Sequence, residues 1–502
     1  MRKILLGTTA VIGAALLAPM SAMAQDGGGG RTSAVVNPAM PDGASYGRTG
    51  GPALVPGDVQ VRVGGYFAGW YSHTTQSNPN TFNQNMPVGN VTNGLTTATQ
   101  TPVTASGSTK TGKNDFHSDA EIHVYVDGKA ANGLRYGAVL ELTFNTNEGS
   151  LPAGGRRTFT TKTAGSIDEY YAYAALPGLG QIRFGDEDGA AGLMTTGVLT
   201  GFGTGGVYGS WQNSVVRPNK TTTSPGDLGD NTKIIYLSPQ MFGFDFGVSY
   251  ALNNGTGAAN GCAASVAVYN CDRTYAYSGA TSNAIQAYSD LPQRRNEVQA
   301  VLRYRGQFGP VGVAASFGHV GWAAIRDMTA TGNSVKTLRP GNVWMAGLQA
   351  TAYGFSLGGM YQFGQQNFFW GSQTRADKSM WQYTAGATYT MGPITVGGNA
   401  FWGSYAGTNG ATFCDTAVAG GNCNAGNIGQ LVRNTIAQGG GSSRRWGMAA
   451  GANYRLAPGM DLVAEYVRHT VHEAGANLVG GTSGNQDKIR ADVIIVGTRL
   501  AF

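Results

Sequence analysis

Beyond its first two dozen residues the chain has no run of about 18 apolar residues, so it offers no helix able to cross a membrane. Charge is scarce as well: Asp, Glu, Lys and Arg make up 12% of the chain, against roughly 25% in an ordinary soluble domain. The net charge is only +6, and the basic residues are dispersed without a basic stripe or zinc-finger spacing, which gives no case for a nucleic-acid partner. No Ser/His/Asp arrangement carries a nucleophile elbow, so no catalytic residues are assigned. Gly201-Phe202-Gly203-Thr204-Gly205-Gly206 fits G-x-G-x-x-G, but no strand precedes it and no helix follows, so it reads as a flexible loop. No cofactor is implied. His117, Asp119, Glu121 and His123 share one strand face, but alternate strand residues stand ~6.6 Å apart, so at most adjacent pairs would chelate an ion weakly, and pore lining is the reading they suit.

What is present begins with Arg2 and Lys3, an apolar run from Ile4 to about Pro19, and Ala22-Met23-Ala24 before Gln25. A charged head, a greasy middle and an A-x-A site make residues 1–24 a secretory signal peptide. Its removal takes away two positive charges, so +6 becomes +4. Residues 25–57 are rich in Gly, Pro and Ser and cannot bury a core; they read as a flexible leader. Glycine, at 79 of 502 residues, is far above the usual ~7%. Few charges, much glycine and a secretion signal without a later apolar 20-mer suit a membrane protein that crosses with strands, because a lipid-facing strand needs grease on one face only.

From Val59 onward the chain alternates. Val61, Val63 and Phe67 oppose Arg62, Gly64 and Tyr66; Phe116, Ala120, Ile122, Val124 and Val126 oppose Asp115, Asp119, Glu121, His123, Tyr125 and Asp127. Further on, Val298, Ala300, Leu302 and Tyr304 oppose Glu297, Gln299, Arg303 and Arg305, and the final stretch alternates to its end at Phe502. Period two repeated this often signals strands. Seven short turns, at 128–132, 177–180, 240–243, 307–310, 353–354, 392–393 and 458–459, alternate with eight long polar loops, at roughly 72–113, 147–166, 188–230, 253–293, 323–341, 365–379, 406–443 and 472–487. Fifteen connections join sixteen strands. The fold expected over 58–502 is all-β: a 16-stranded antiparallel transmembrane β-barrel, closed so that no edge is left open. On the expected lipid face, Tyr136, Tyr304, Tyr389, Tyr454 and Phe502 mark the turn ends, and Phe144, Tyr250, Phe317, Trp344, Trp381, Trp402 and Trp446 the loop ends, as two interfacial belts.

With its signal peptide, sixteen alternating strands, eight long loops and terminal Phe502, the chain resembles the Gram-negative general porins. The segment Ile167–Tyr173, the turn Pro177–Gly180 and the run Gln181–Ala190 are similar to the strand pair that leads into the porin constriction loop. The enterobacterial Pro-Glu-Phe-Gly-Gly of that loop is absent. The resemblance implies a bacterial outer-membrane location with periplasmic turns and extracellular loops. It also implies contact with lipid and lipopolysaccharide, a homotrimer, and a water-filled pore in each protomer.

The expected function is passive diffusion of small hydrophilic solutes and ions, since sixteen strands leave an aqueous channel. The alternatives are a sugar- or anion/phosphate-selective porin and a barrel enzyme. Pore-lining candidates are Asp119, Glu121, His123, Glu141, Glu297, Arg303 and Glu465. Asp186, Glu187 and Asp188, at the root of the third loop, are the expected acidic side of a constriction. Arg62, Arg135, Arg183 and Arg499 face inward by parity, either as a basic wall opposite those acids or as a vestibule on the turn side. Four cysteines allow three pairings. Local closure is the least costly in entropy and the compartment is oxidising, so Cys262–Cys271 and Cys414–Cys423 are the expected disulfides.

Overall fold

The computed structural model describes residues 56–77, 80–81, 109–110, 112–144, 166–215, 228–253, 275–278, 294–323, 326–329, 334–337, 339–366, 378–406, 412–413, 431–432, 442–473 and 488–502. The expected signal peptide, nearly all of the expected leader and the four cysteines lie outside them.

Sixteen antiparallel strands close into one barrel. In chain order they are β1 (Val59–Gln76), β2 (Asn114–Lys129), β3 (Arg135–Thr143), β4 (Ser166–Leu176), β5 (Gly180–Asp186), β6 (Thr232–Leu237), β7 (Phe244–Ala251) and β8 (Arg295–Phe308). They continue as β9 (Val311–Ala323), β10 (Gly341–Ala352), β11 (Phe355–Gln365), β12 (Met380–Met391), β13 (Ile394–Ala406), β14 (Ser442–Ala457), β15 (Met460–Glu473) and β16 (Lys488–Ala501). Each pairs with its sequence neighbours, and β16 returns to β1 with Tyr66 opposite Ala501 and Gln76 opposite Ala491. Phe502 and Gly65 exchange two backbone hydrogen bonds of 3.1 Å, so the terminal residue helps seal the seam. Closure satisfies the backbone polar groups within the sheet, which lipid cannot do.

The seven short connections fall where the sequence puts them. At Phe242-Gly243 and Tyr353-Gly354 both residues have positive φ, the geometry that matches the right-handed twist of a two-residue hairpin. The faces also segregate as expected. Val61, Val63, Phe116, Phe317, Trp402, Trp446 and Val496 point outward and are exposed, while Tyr66, Asp119, Glu121, Asp245 and Gln299 point inward and are buried.

Candidate functional site

The connection from β5 to β6 does not stay at the rim. Its first part folds into the barrel and runs along the inner wall. A one-turn helix, α1 (Ala190–Met194), is buried throughout and lies against β7, β8 and β9. Ala190 N donates to Ser249 Oγ (3.1 Å) and Ala191 N to Gln299 Oε1 (2.8 Å). Thr196 N then donates to Ser316 Oγ on β9 (2.9 Å), and Asn399 Nδ2 on β13 donates to Leu199 O (2.8 Å). Gly203 N reaches Asn453 Oδ1 on β14 (2.6 Å), and the Tyr208 hydroxyl bonds Thr384 on β12 (2.7 Å). At the far end Ser214 Oγ bonds Ser72 on β1 (2.9 Å) and His117 Nε2 on β2 (3.1 Å). The loop thus follows the wall from β7 round to β2.

Two features of the wall receive it. Many inward positions under the loop are apolar or lack a side chain. Ala191, Leu193 and Met194 pack with Val301, Val320, Val343 and Met345, while Phe202, Val207 and Trp211 pack with Met360, Phe401, Val467 and Val493. A Cβ at Gly347 would overlap the Thr196 carbonyl, and one at Gly397 would meet the Phe202 ring. The second feature is Glu465 on β15, 3% exposed. Its Oε2 accepts from Thr204 N (2.8 Å) and Gly206 N (2.9 Å), and its Oε1 from Thr204 Oγ1 (3.0 Å). Gly203, Gly205 and Gly206 hold φ of 56°, 120° and 67°, a backbone that aims successive amides at one anion. The G-x-G-x-x-G stretch is therefore an ordered cradle for a carboxylate of its own chain, where the sequence suggested only flexibility. Glu465 anchors the loop and does not line open water.

Asp186, Glu187 and Asp188 stand where the loop leaves β5, at 4%, 0% and 6% exposure. Glu187 Oε2 pairs with Arg183 Nη1 at 2.9 Å, and Lys233 Nζ donates to the Glu187 carbonyl. Asp186 Oδ1 accepts from Thr232 Oγ1 (2.5 Å), and the Asp188 carboxylate stands against Gly192 of α1. These burials take the three acids away from water and make them the root of the loop.

Nor do the four arginines gather into one wall opposite them. Arg183 is bonded to Glu187 and lies over the Tyr171 ring (5.0 Å). Arg62 pairs with Asp127 at 2.7 Å. Arg499 lies over Tyr66 (5.2 Å), with Asp119, Glu121 and Asp461 around it. Arg135 is exposed beside the β2–β3 turn. Arg62, Arg183 and Arg499 thus each have carboxylates beside them on the same or a nearby element, and Coulomb attraction falls with distance. Glu297 accepts from Arg294 Nε (2.8 Å) and Gln299 Nε2 (2.7 Å). Arg303 holds Asp245 through two bonds of 3.1 and 2.7 Å, with Arg305 at 2.7 Å on the same carboxylate.

The wall from β2 to β4 differs. Its inward residues are Asp119, Glu121, His123, Tyr125 and Asp127, then Glu141 and Val139, then Glu169, Tyr171 and Tyr173. At its edge Ser214 of the loop bonds His117.

A closed barrel with an apolar outside, a charged inside and a loop folded against its inner wall is an outer-membrane channel. The chain belongs to the Gram-negative porin family, whose sequence profile matches residues 8–473, and its place is the bacterial outer membrane. Among solved structures it is similar to a porin refined at 1.8 Å resolution, with 12% identity over 88% of this chain and 100% of that one and a TM-score of 0.44. It is similar to an anion-selective porin from Comamonas acidovorans, with 11% identity over 89% of this chain and 100% of that one and a TM-score of 0.45. It is also similar to the Vibrio cholerae outer membrane protein OmpT lacking loop L8, with 10% identity over 89% and 99% and a TM-score of 0.44. No curated protein matches it.

Proposed function

We propose that the protein is a general diffusion pore: it passes small hydrophilic solutes and ions down their gradients, with no chemical step, and the loop after β5 sets its cross-section. The observation that carries this reading is the loop's path, held by bonds to Ser316, Asn399, Asn453 and Glu465 on four strands. A lining of acids beside arginines and tyrosines suits water and small polar solutes more than one shaped ligand. The acids at 186–188 act through the loop they root, and those of the β2–β4 wall, themselves 2–8% exposed, act with Arg62 and Arg499 through the field of the channel. Planar-bilayer recordings test this. Conductance proportional to bulk salt is expected; saturation, or block by one sugar or by phosphate, would make the pore substrate-selective instead.

In this reading residues 1–24 are removed on secretion, 25–57 form the leader, and Cys262–Cys271 and Cys414–Cys423 pair within their loops. The protomers assemble as trimers. Strands β5, β6 and β7 have 7, 6 and 8 residues. At roughly 3.4 Å per residue, and tilted, these fall short of a hydrocarbon core about 30 Å thick. That side, carrying exposed Ile182, Phe184, Ile234 and Phe246, is better covered by a neighbouring protomer than by lipid. Phe184→Asp with Ile234→Asp should release monomers on unheated gels; an unshifted trimer band would place the interface elsewhere.

A further inference from the structure

The strand register brings together what the spacing along one strand keeps apart. His123 on β2 lies directly opposite Glu141 on β3. Its Nε2 is 2.8 Å from Glu121 Oε2 and 3.8 Å from Glu141 Oε2, and one ligand atom from each of the three residues lies within 4.8 Å of the others. Cross-strand neighbours approach to about 5 Å, which is how the trio converges.

The remaining atoms of the trio are oriented by other residues. His123 Nδ1 is 3.1 Å from the Tyr125 hydroxyl, and Glu121 Oε1 accepts from the Tyr66 hydroxyl at 3.0 Å. Each of these two ligands thus has one polar atom fixed from behind and the other turned to the shared point, the arrangement that supports ligands in metal sites. The same Tyr66 hydroxyl donates to Asp119 Oδ2 (2.8 Å), and Asp119, 8% exposed, leaves Oδ1 buried without a hydrogen-bond partner among the described residues. With His123 neutral, Asp119, Glu121 and Glu141 against Arg499 leave a local charge of −2, which a divalent cation neutralises.

We propose that Glu121, His123 and Glu141 bind a divalent transition-metal ion of the zinc class in the channel wall. One imidazole nitrogen and two carboxylate oxygens form a set that zinc accepts, with further positions left to water. The neutral imidazole binds the ion through the Nε2 lone pair, with its one proton on Nδ1 donated to the Tyr125 hydroxyl. The ion so replaces the hydrogen bond to Glu121 Oε2, and no proton is released. It also removes the net negative charge of this wall.

Zinc as the chloride is the probe, with the refolded full-length barrel in detergent and heat-modifiable gel mobility as the check on folding. Equilibrium dialysis with elemental analysis should find one more zinc per protomer in wild type than in His123→Gln. Tyr125→Phe, which keeps all three ligands, should weaken binding by about tenfold or more. In bilayers zinc should shift the reversal potential of wild type toward anion selectivity, reversibly with a chelator, and leave that of His123→Gln unchanged. Equal zinc content in wild type and folded His123→Gln would overturn the site. So would calcium displacing zinc at equal concentration, since that is the behaviour of a plain acidic patch.

Discussion

The two sides of the channel wall are built for different occupants. From β7 to β16 the inward face gives the loop apolar contacts, side-chain-free glycines and a few hydrogen-bonding anchors. From β2 to β4 it carries carboxylates, an imidazole and tyrosine hydroxyls that bond one another within the wall. Inward parity alone does not make a residue pore-lining. Val343 and Glu121 both face inward, but the first packs against the loop cluster and the second bonds a network within the wall.

The strongest way to break this contrast is at the loop's root, where the covered side begins. Arg183→Ala leaves Glu187 buried without its guanidinium, and the cost should be about 3–5 kcal/mol of barrel stability. Urea unfolding in detergent checks it, and Arg183→Ala with Glu187→Gln should recover part of the loss. Next is the groove itself. Gly347→Val pushes into the Thr196 carbonyl, so it should destabilise by about 1–3 kcal/mol and broaden the distribution of single-channel conductances. The same change at Gly133, which has open space around it at a turn, tests only backbone strain and should leave conductance unaltered. The smallest effect is expected on the β2–β4 side. Tyr66→Phe removes the hydroxyl shared by Asp119 and Glu121, costing about 1 kcal/mol, with its main signature a change in ion selectivity at low salt that screening removes at high salt.

The barrel was legible in the sequence because lipid on one side and water on the other impose period two on every strand, and each change of direction needs turn chemistry. Phe116 against Asp119, or Val298 against Gln299, carries that signal without any partner being known. The loop's path was not legible, because its determinants are unremarkable one at a time. Gly347 and Gly397 look like two of many glycines, and Glu465 like any inward acid. One clue was available: Val301, Val320, Val343 and Val467 are apolar on the inward parity, which calls for something apolar to cover them. The arginine wall failed for a related reason. Parity says which way Arg62 and Arg183 point, but not that Asp127 and Glu187 stand 2.7 and 2.9 Å from them. The trio at His123 needed the β2–β3 register, which alternation alone does not fix.

In the proposed pore the loop narrows the channel because it is fastened to the wall, and Glu465 is the fastening most open to a single change. Glu465→Ala removes the acceptor for two amides and a hydroxyl. Leaving those donors unpaired should cost the loop's seat on the order of 3 kcal/mol. Single-channel conductance of the folded variant, beside liposome swelling with sugars of increasing size, is the direct measurement. Glu465→Ala should show a larger or fluctuating conductance and admit sugars that wild type excludes. A conductance and size limit identical to wild type, in a variant shown to be folded, would mean that the loop does not set the pore.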